Sequence, residues 1–112
     1  MEEFKNKISQ IIQESTKGSW VVANVLEDIS DIMIFANKTY VKDEYTQANY
    51  KLIIYCKTNK DYELITHGDN TLRPLSRNDM FIEYINEVAQ FAANKEANEK
   101  IRELCLNKLL NK

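Results

Sequence analysis

The arginines are the residues of this chain whose chemistry is best suited to holding an anion. There are three Arg against twelve Lys, and the planar guanidinium binds phosphate or carboxylate through two parallel hydrogen bonds that Lys cannot copy. Arg73 and Arg77 flank Pro74 just before a predicted helix, whose first N–H groups also favour an anion. We expect an anion site there, although loop arginines in water are the commoner alternative. Arg102 has Glu99 one turn earlier, so a surface ion pair is its alternative.

Two aromatic residues and one amide complete a set that could bind a small nucleotide. Trp20 enters the first predicted strand, where it either joins the core or stacks on a base. Phe81 opens the helix that follows the Arg pair, and Asn86 lies further along it. The alternative for Phe81 is a core position, and the alternative for Asn86 is an ordinary surface position. Rings would hold the base, guanidiniums the phosphates and the amide the sugar. The predicted ligand-binding residues are Trp20, Arg73, Arg77, Phe81, Asn86 and Arg102.

Residues that could support catalysis are few. His67 with Asp69 could act as a base and its orienting group, but an exposed hairpin end is the better interpretation. Cys56 lies in the most apolar strand, which favours a buried thiol over a nucleophile. With two Gly, one His and two distant Cys, the chain has neither a phosphate loop nor a zinc ligand set. We therefore predict a protein that is not an enzyme and needs no metal or cofactor.

Composition limits the remaining classes. The 112 residues predict a single domain spanning 1–112. A net charge of −2 disfavours nucleic-acid binding, which needs a basic surplus. The chain has no apolar run of about 20 residues that could cross a bilayer and shows no export signal, so we expect a cytoplasmic protein without membrane contact. Lys, Asn and Ile, with 12 of each, indicate an A/T-rich genome, such as that of a low-GC bacterium or its phage.

Hydrophobic periodicity predicts a helix, several strands and two further helices. Phe4, Ile8, Ile11 and Ile12 give residues 2–16 one apolar helical face. Alternating and β-branched stretches predict strands, of which the last two form a hairpin; a helix remains the alternative for 26–36. From Ser76 the period becomes helical, with a break at 93–98. The predicted strands cover 19–26, 32–42, 49–57 and 62–67.

These elements predict an α+β fold with an N-terminal helix, a four-stranded antiparallel sheet and two C-terminal helices packed on the sheet. Ile53 and Tyr55 lie on the more polar face of their strand, which leaves room for a second copy of the chain. The first C-terminal helix has the predicted apolar face Phe81, Ile85, Val88, Ala89 and Ala92, and the second has Ala97, Ile101, Leu104, Cys105 and Leu109.

This layout resembles the small phage anti-Thoeris proteins that sequester cyclic ADP-ribose isomers. The resemblance runs from about Trp20 onward, through the antiparallel strands to the two C-terminal helices. Asn86 and Arg102 match the positions of a ligand-contacting Asn and Arg in that family. The resemblance implies a non-catalytic homo-oligomer that binds a signalling nucleotide without changing it and so blocks an anti-phage defence.

A second function remains open on the residues alone. Small acidic α+β domains without catalytic motifs often act by covering another protein. Tyrosines at 40, 45, 50, 55 and 62, in and around the sheet, would suit such a surface. The alternative is therefore an inhibitor or immunity protein that acts on a host or toxin protein.

Overall fold

The α+β class is confirmed by a computed structural model, which describes residues 2–16, 20–41, 47–57, 63–70 and 79–110. Residues 26–36 belong to two strands and the turn between them, so the alternative helix is excluded. Arg73 and Arg77 lie outside the described residues. The elements are α1 (Glu2–Ser15), β1 (Val21–Glu27), β2 (Asp31–Val41), β3 (Gln47–Lys57), β4 (Glu63–Asn70), α2 (Asp79–Ala93) and α3 (Lys95–Leu110).

The strands form one antiparallel sheet in the order β1-β2-β3-β4. Each strand pairs with its neighbour in sequence, as short connections favour. A bulge between Val22 and Asn24 shifts the β1 register, so that Asn24 lies opposite Phe35. Side chains alternate between faces along each strand, and one face, called the inner face here, carries the buried residues Val22, Ile32, Ile34, Ala36, Tyr40, Tyr50, Leu52, Ile54 and Cys56.

All three helices contribute buried side chains to the same core as the inner face. The predicted apolar faces of α1 and α3 are confirmed, since each presents its buried residues at helical spacing. Lys108 of α3 also pairs with Glu27 of β1 at 3.8 Å. The buried helix residues in the core are Phe4, Ile8, Ile12, Tyr84, Phe91, Ala97, Ile101, Cys105 and Leu109.

The predicted apolar face of α2 is wrong at Ile85, Ala89 and Ala92 and is confirmed only at Val88. Ile85 is 47% exposed, and Ala89 and Ala92 are also exposed. Tyr84 and Phe91 are buried instead, with Val88 packed partly against the core. The helix is therefore rotated so that an aromatic pair, and not the isoleucines, fills the space above the sheet.

The predicted break between the C-terminal helices is confirmed at Asn94. Its side-chain oxygen accepts a hydrogen bond from the Ala97 N–H at 3.1 Å, which is the ordinary cap of a helix N-terminus. The Asn98 amide donates to the carbonyls of Phe91 and Asn94 at 2.9 and 2.7 Å. One helix end is thus capped from within the next helix. Within the described part of the chain, neither α2 nor any other helix is long and apolar enough to cross a membrane.

Candidate functional site

The centre of the candidate site is the Glu87 carboxylate on α2. It accepts hydrogen bonds from the Lys38 ammonium at 2.7 and 2.9 Å, from the Trp20 indole N–H at 3.1 Å and from the Tyr40 hydroxyl. These donors lie before or on β1 and β2, so one carboxylate ties α2 to the first half of the sheet. The Glu87 side chain is 24% exposed and that of Lys38 is 15% exposed. Water therefore screens this pair less than it screens a surface ion pair.

An aromatic cluster lies beneath this carboxylate. Tyr50 and Tyr84 are stacked with ring centres 4.2 Å apart. The Trp20 and Tyr40 rings approach each other edge to face, with centres 6.4 Å apart, in a geometry that aromatic quadrupoles favour. The Tyr84 hydroxyl donates to the Lys51 carbonyl at 3.1 Å. The cluster thus gives Glu87 a fixed, largely dry support.

The electrostatics of the pair follow from burial and hydrogen bonding. Burial raises the pKa of the Tyr40 hydroxyl far above its usual value, and the hydrogen bond to Glu87 and the charge of Glu87 raise it further. Burial alone would raise the pKa of the Glu87 carboxyl. The hydrogen bonds from Lys38 and Tyr40 and the charge of Lys38 outweigh burial and lower that pKa. At neutral pH, Tyr40 is therefore a neutral donor and Glu87 an ionised acceptor.

The solvent side of α2 is a shallow polar depression with two apolar neighbours. Ile82, Glu83, Asn86, Glu87 and Gln90 line it. Ile82 is 51% exposed, and Ile85, three residues further along the helix, is 47% exposed. Carboxylate and amide groups here can accept hydrogen bonds from a cation or an N–H donor. We call this surface, formed by these five residues and Ile85, the α2 face.

The structure separates the predicted ligand residues that it describes. Trp20 is 1% exposed in the core, so a base cannot stack on its ring unless the aromatic cluster opens. Asn86 is exposed on the α2 face, which is compatible with both the ligand contact and the surface role considered for it. Phe81 lies in α2, but its side chain is outside the described part.

Arg102 lies at the other end of the sheet from the α2 face. It is three residues before Cys105 on α3, the Cys105 thiol is hydrogen-bonded to that of Cys56, and Cys56 is opposite Ile32 in the sheet. Lys38, which holds Glu87, is six residues beyond Ile32 on β2, or about 20 Å at the rise of a strand. Within one chain, Arg102 and Asn86 therefore do not line a common pocket.

A pair of buried thiols is the second titratable cluster. Cys56 and Cys105 are free and fully buried, as predicted. A hydrogen bond from the Cys105 thiol lowers the pKa of Cys56, and this effect and the charge of Arg102 outweigh the opposing effect of burial. The same hydrogen bond and burial raise the pKa of Cys105. Within the described residues, no group of three or more His, Cys, Asp or Glu is placed to hold a metal ion.

Sequence reasoning missed Glu87. The signal lay in its helical spacing between Tyr84 and Phe91, but that stripe could be used only once the two aromatic residues were known to be buried. An acidic residue at such a position requires a partner, because an unpaired buried charge is costly. Comparison with protein-family models, with characterised proteins and with solved structures gives no significant match to this chain.

Proposed function

We propose that this chain is a non-catalytic binding protein that contacts a partner protein through the α2 face. The observation that carries the proposal is the exposure of Ile82 and Ile85 next to hydrogen-bonding groups on one helix. Exposed apolar side chains on a surface that also carries polar groups are typical of a protein interface, which has an apolar centre and a polar rim. The hydrogen bonds to Glu87 and the packing of Tyr84 and Phe91 in the core fix the position of α2.

The negative charge of α2 indicates which kind of protein surface would bind it. Residues 79–93 contain Asp79, Glu83 and Glu87 but neither Lys nor Arg. Lys38 neutralises Glu87 from the sheet side, while Glu83 is exposed to solvent. A surface with an apolar patch and Lys or Arg at its rim is complementary to this face. Complementary charge would increase the rate of association and exclude acidic partners.

Changing both isoleucines should abolish this contact. We expect an Ile82→Arg/Ile85→Arg variant to bind the partner at least about 100-fold more weakly, because two anchors are lost and two like charges face the basic rim. The immobilised wild-type chain is used to capture proteins from bacterial lysate, and affinity for the retained protein is then measured for each variant. Leu110→Arg is the matched control, since Leu110 is 65% exposed on a different helix. Equal capture by all three chains would refute the proposal.

Sequestration of a small cyclic nucleotide, such as a cyclic ADP-ribose isomer, is the second candidate function. Asn86 and Gln90 present amides in the depression. Glu83 presents a carboxylate, a group that can accept hydrogen bonds from ribose hydroxyls. Arg73 and Arg77 precede the same helix in sequence and could supply the phosphate contacts. In this form the candidate requires neither Trp20 nor Arg102 as a direct contact.

Calorimetry discriminates between the two candidates. If the nucleotide is the ligand, cyclic ADP-ribose isomers should bind with dissociation constants below about 50 μM, and Asn86→Ala or Arg77→Ala should weaken binding about tenfold. Asn107→Ala is the control, because Asn107 is an exposed amide on α3. Absence of heat at this concentration would eliminate the nucleotide and leave the protein-binding function standing.

A further inference from the structure

The face of the sheet opposite the helices, called the outer face here, carries two adjacent apolar rows. The register aligns Leu26, Met33 and Tyr55 across three strands, with Ile65 next in line on β4. The neighbouring row contains Phe35 and Ile53 between Asn24 and His67. Among the residues with described side chains, these rows contain no charged group.

None of the described helices packs its buried residues against this face. Their buried residues all join the cluster that includes the inner face. Ile53 is buried at 6% exposure yet does not belong to that cluster. Leu26 is 52% exposed, and Met33, Phe35 and Tyr55 are partly exposed. A continuous apolar patch of this kind on a folded chain marks a contact surface.

The outer face as a whole, with its apolar rows and polar borders together, is large enough for a specific dimer interface. The four strands contain 7, 11, 11 and 8 residues. With a rise of about 3.3 Å and a strand spacing of about 4.8 Å, they form a sheet with a projected area of roughly 600 Å². A biological interface requires about 1,000 Å² in total, or about 500 Å² from each partner. Two such sheets can stack about 10 Å apart with their side chains interleaved.

Charge at the borders of the rows is also compatible with self-association. At one border, Asp31 lies opposite Lys57, and both side chains are exposed. This border carries both signs, so two copies related by a two-fold axis need not bring charges of one sign together there. An anionic lipid surface would favour a basic border, whereas Asp31 balances Lys57 at this one.

We infer that the outer face binds the outer face of a second copy of this chain, through the rows that contain Leu26, Met33, Phe35, Ile53 and Tyr55. This interface is distinct from the α2 face, which lies on an element packed against the opposite side of the sheet. The dimer would present two α2 faces, one from each copy. The inference does not depend on what the α2 face binds.

Sedimentation equilibrium tests this inference directly. The wild-type chain should have twice the 13.1 kDa mass of one chain at about 50 μM. A Leu26→Lys variant should raise the dimer dissociation constant at least about tenfold, because an exposed residue at the β1 end of the row gains a charge that dimerisation must bury. Leu26→Lys/Phe35→Lys should be monomeric at the same concentration. Leu110→Lys should remain dimeric, because Leu110 is exposed at the end of α3.

The result is interpretable even if one variant folds poorly. Leu26 is half exposed, so its replacement should leave the far-ultraviolet circular dichroism of the chain unchanged, and this spectrum is recorded for each variant. A monomeric wild-type chain at about 50 μM would overturn the inference. This holds even if a different protein is then found to bind the outer face. A dimer that both Lys variants leave intact would overturn it as well, because the interface would then lie elsewhere.

Discussion

Replacement of Glu87 by Ala is expected to lower the free energy of unfolding by about 3 kcal/mol. The variant removes the carboxylate that accepts from Lys38, Trp20 and Tyr40. Lys38 would retain its charge with its side chain only 15% exposed, and the Tyr40 hydroxyl would stay in a buried aromatic cluster. Deleting one partner of a buried hydrogen bond costs more free energy than the intact bond contributes, because the remaining group stays buried without a partner. Urea denaturation, followed by circular dichroism, measures the change.

Glu83→Ala is the matched control for this experiment. Glu83 lies one turn earlier on the same helix and is exposed to solvent. Its replacement should change the free energy of unfolding by less than about 0.5 kcal/mol. A Glu87→Ala variant within 1 kcal/mol of wild type would show that the hydrogen bonds around Glu87 do not hold α2 to the sheet.

The pH dependence of the stability difference between wild type and Glu87→Ala identifies the Glu87 carboxylate as its source. The pKa of Glu87 is lower in the folded chain than its usual value of 4.5. Its contribution to stability is therefore fully present above that usual value and is lost as the pH falls through the folded pKa. The stability difference between wild type and Glu87→Ala should be largest near pH 7 and should shrink below about pH 4.

The parts of the fold that the sequence predicts well are those in which local pattern and burial coincide. In α3 the residues from Ala97 to Leu109 recur at helical spacing, and the structure buries that stripe. The α2 stripe failed because hydrophobicity alone favoured Ile85 over Tyr84. A tyrosine can occupy the buried position because its hydroxyl reaches the Lys51 carbonyl, and no local pattern shows that partner.

The candidate site was less predictable because its partners are distant in sequence. Lys38 and Glu87 are 49 residues apart, and Trp20 and Glu87 are 67 apart. Residue types could indicate which groups bind an anion, but only the fold shows that Arg102 and Asn86 lie at different ends of the sheet. The cysteines show the same limit, since two scattered thiols of the sequence are hydrogen-bonded neighbours in the core.

Replacement of Trp20 by Ala is expected to lower the free energy of unfolding by about 4 kcal/mol. The indole is the largest fully buried side chain, and it packs against Tyr40 and Tyr84. Its removal leaves a cavity beneath α2 and also deletes one donor to Glu87. Thermal and urea denaturation of the two chains measure the loss. Val21→Ala is the control, because Val21 is the next residue and is 56% exposed.

Trp20→Phe separates the packing contribution of Trp20 from its hydrogen bond. Phenylalanine keeps an aromatic ring in the cluster but has no N–H to donate to Glu87, so the loss should be about 1–2 kcal/mol. In the Glu87→Ala background the same change should cost less, because the acceptor is already absent. Additive losses would mean that the indole N–H contributes nothing through Glu87.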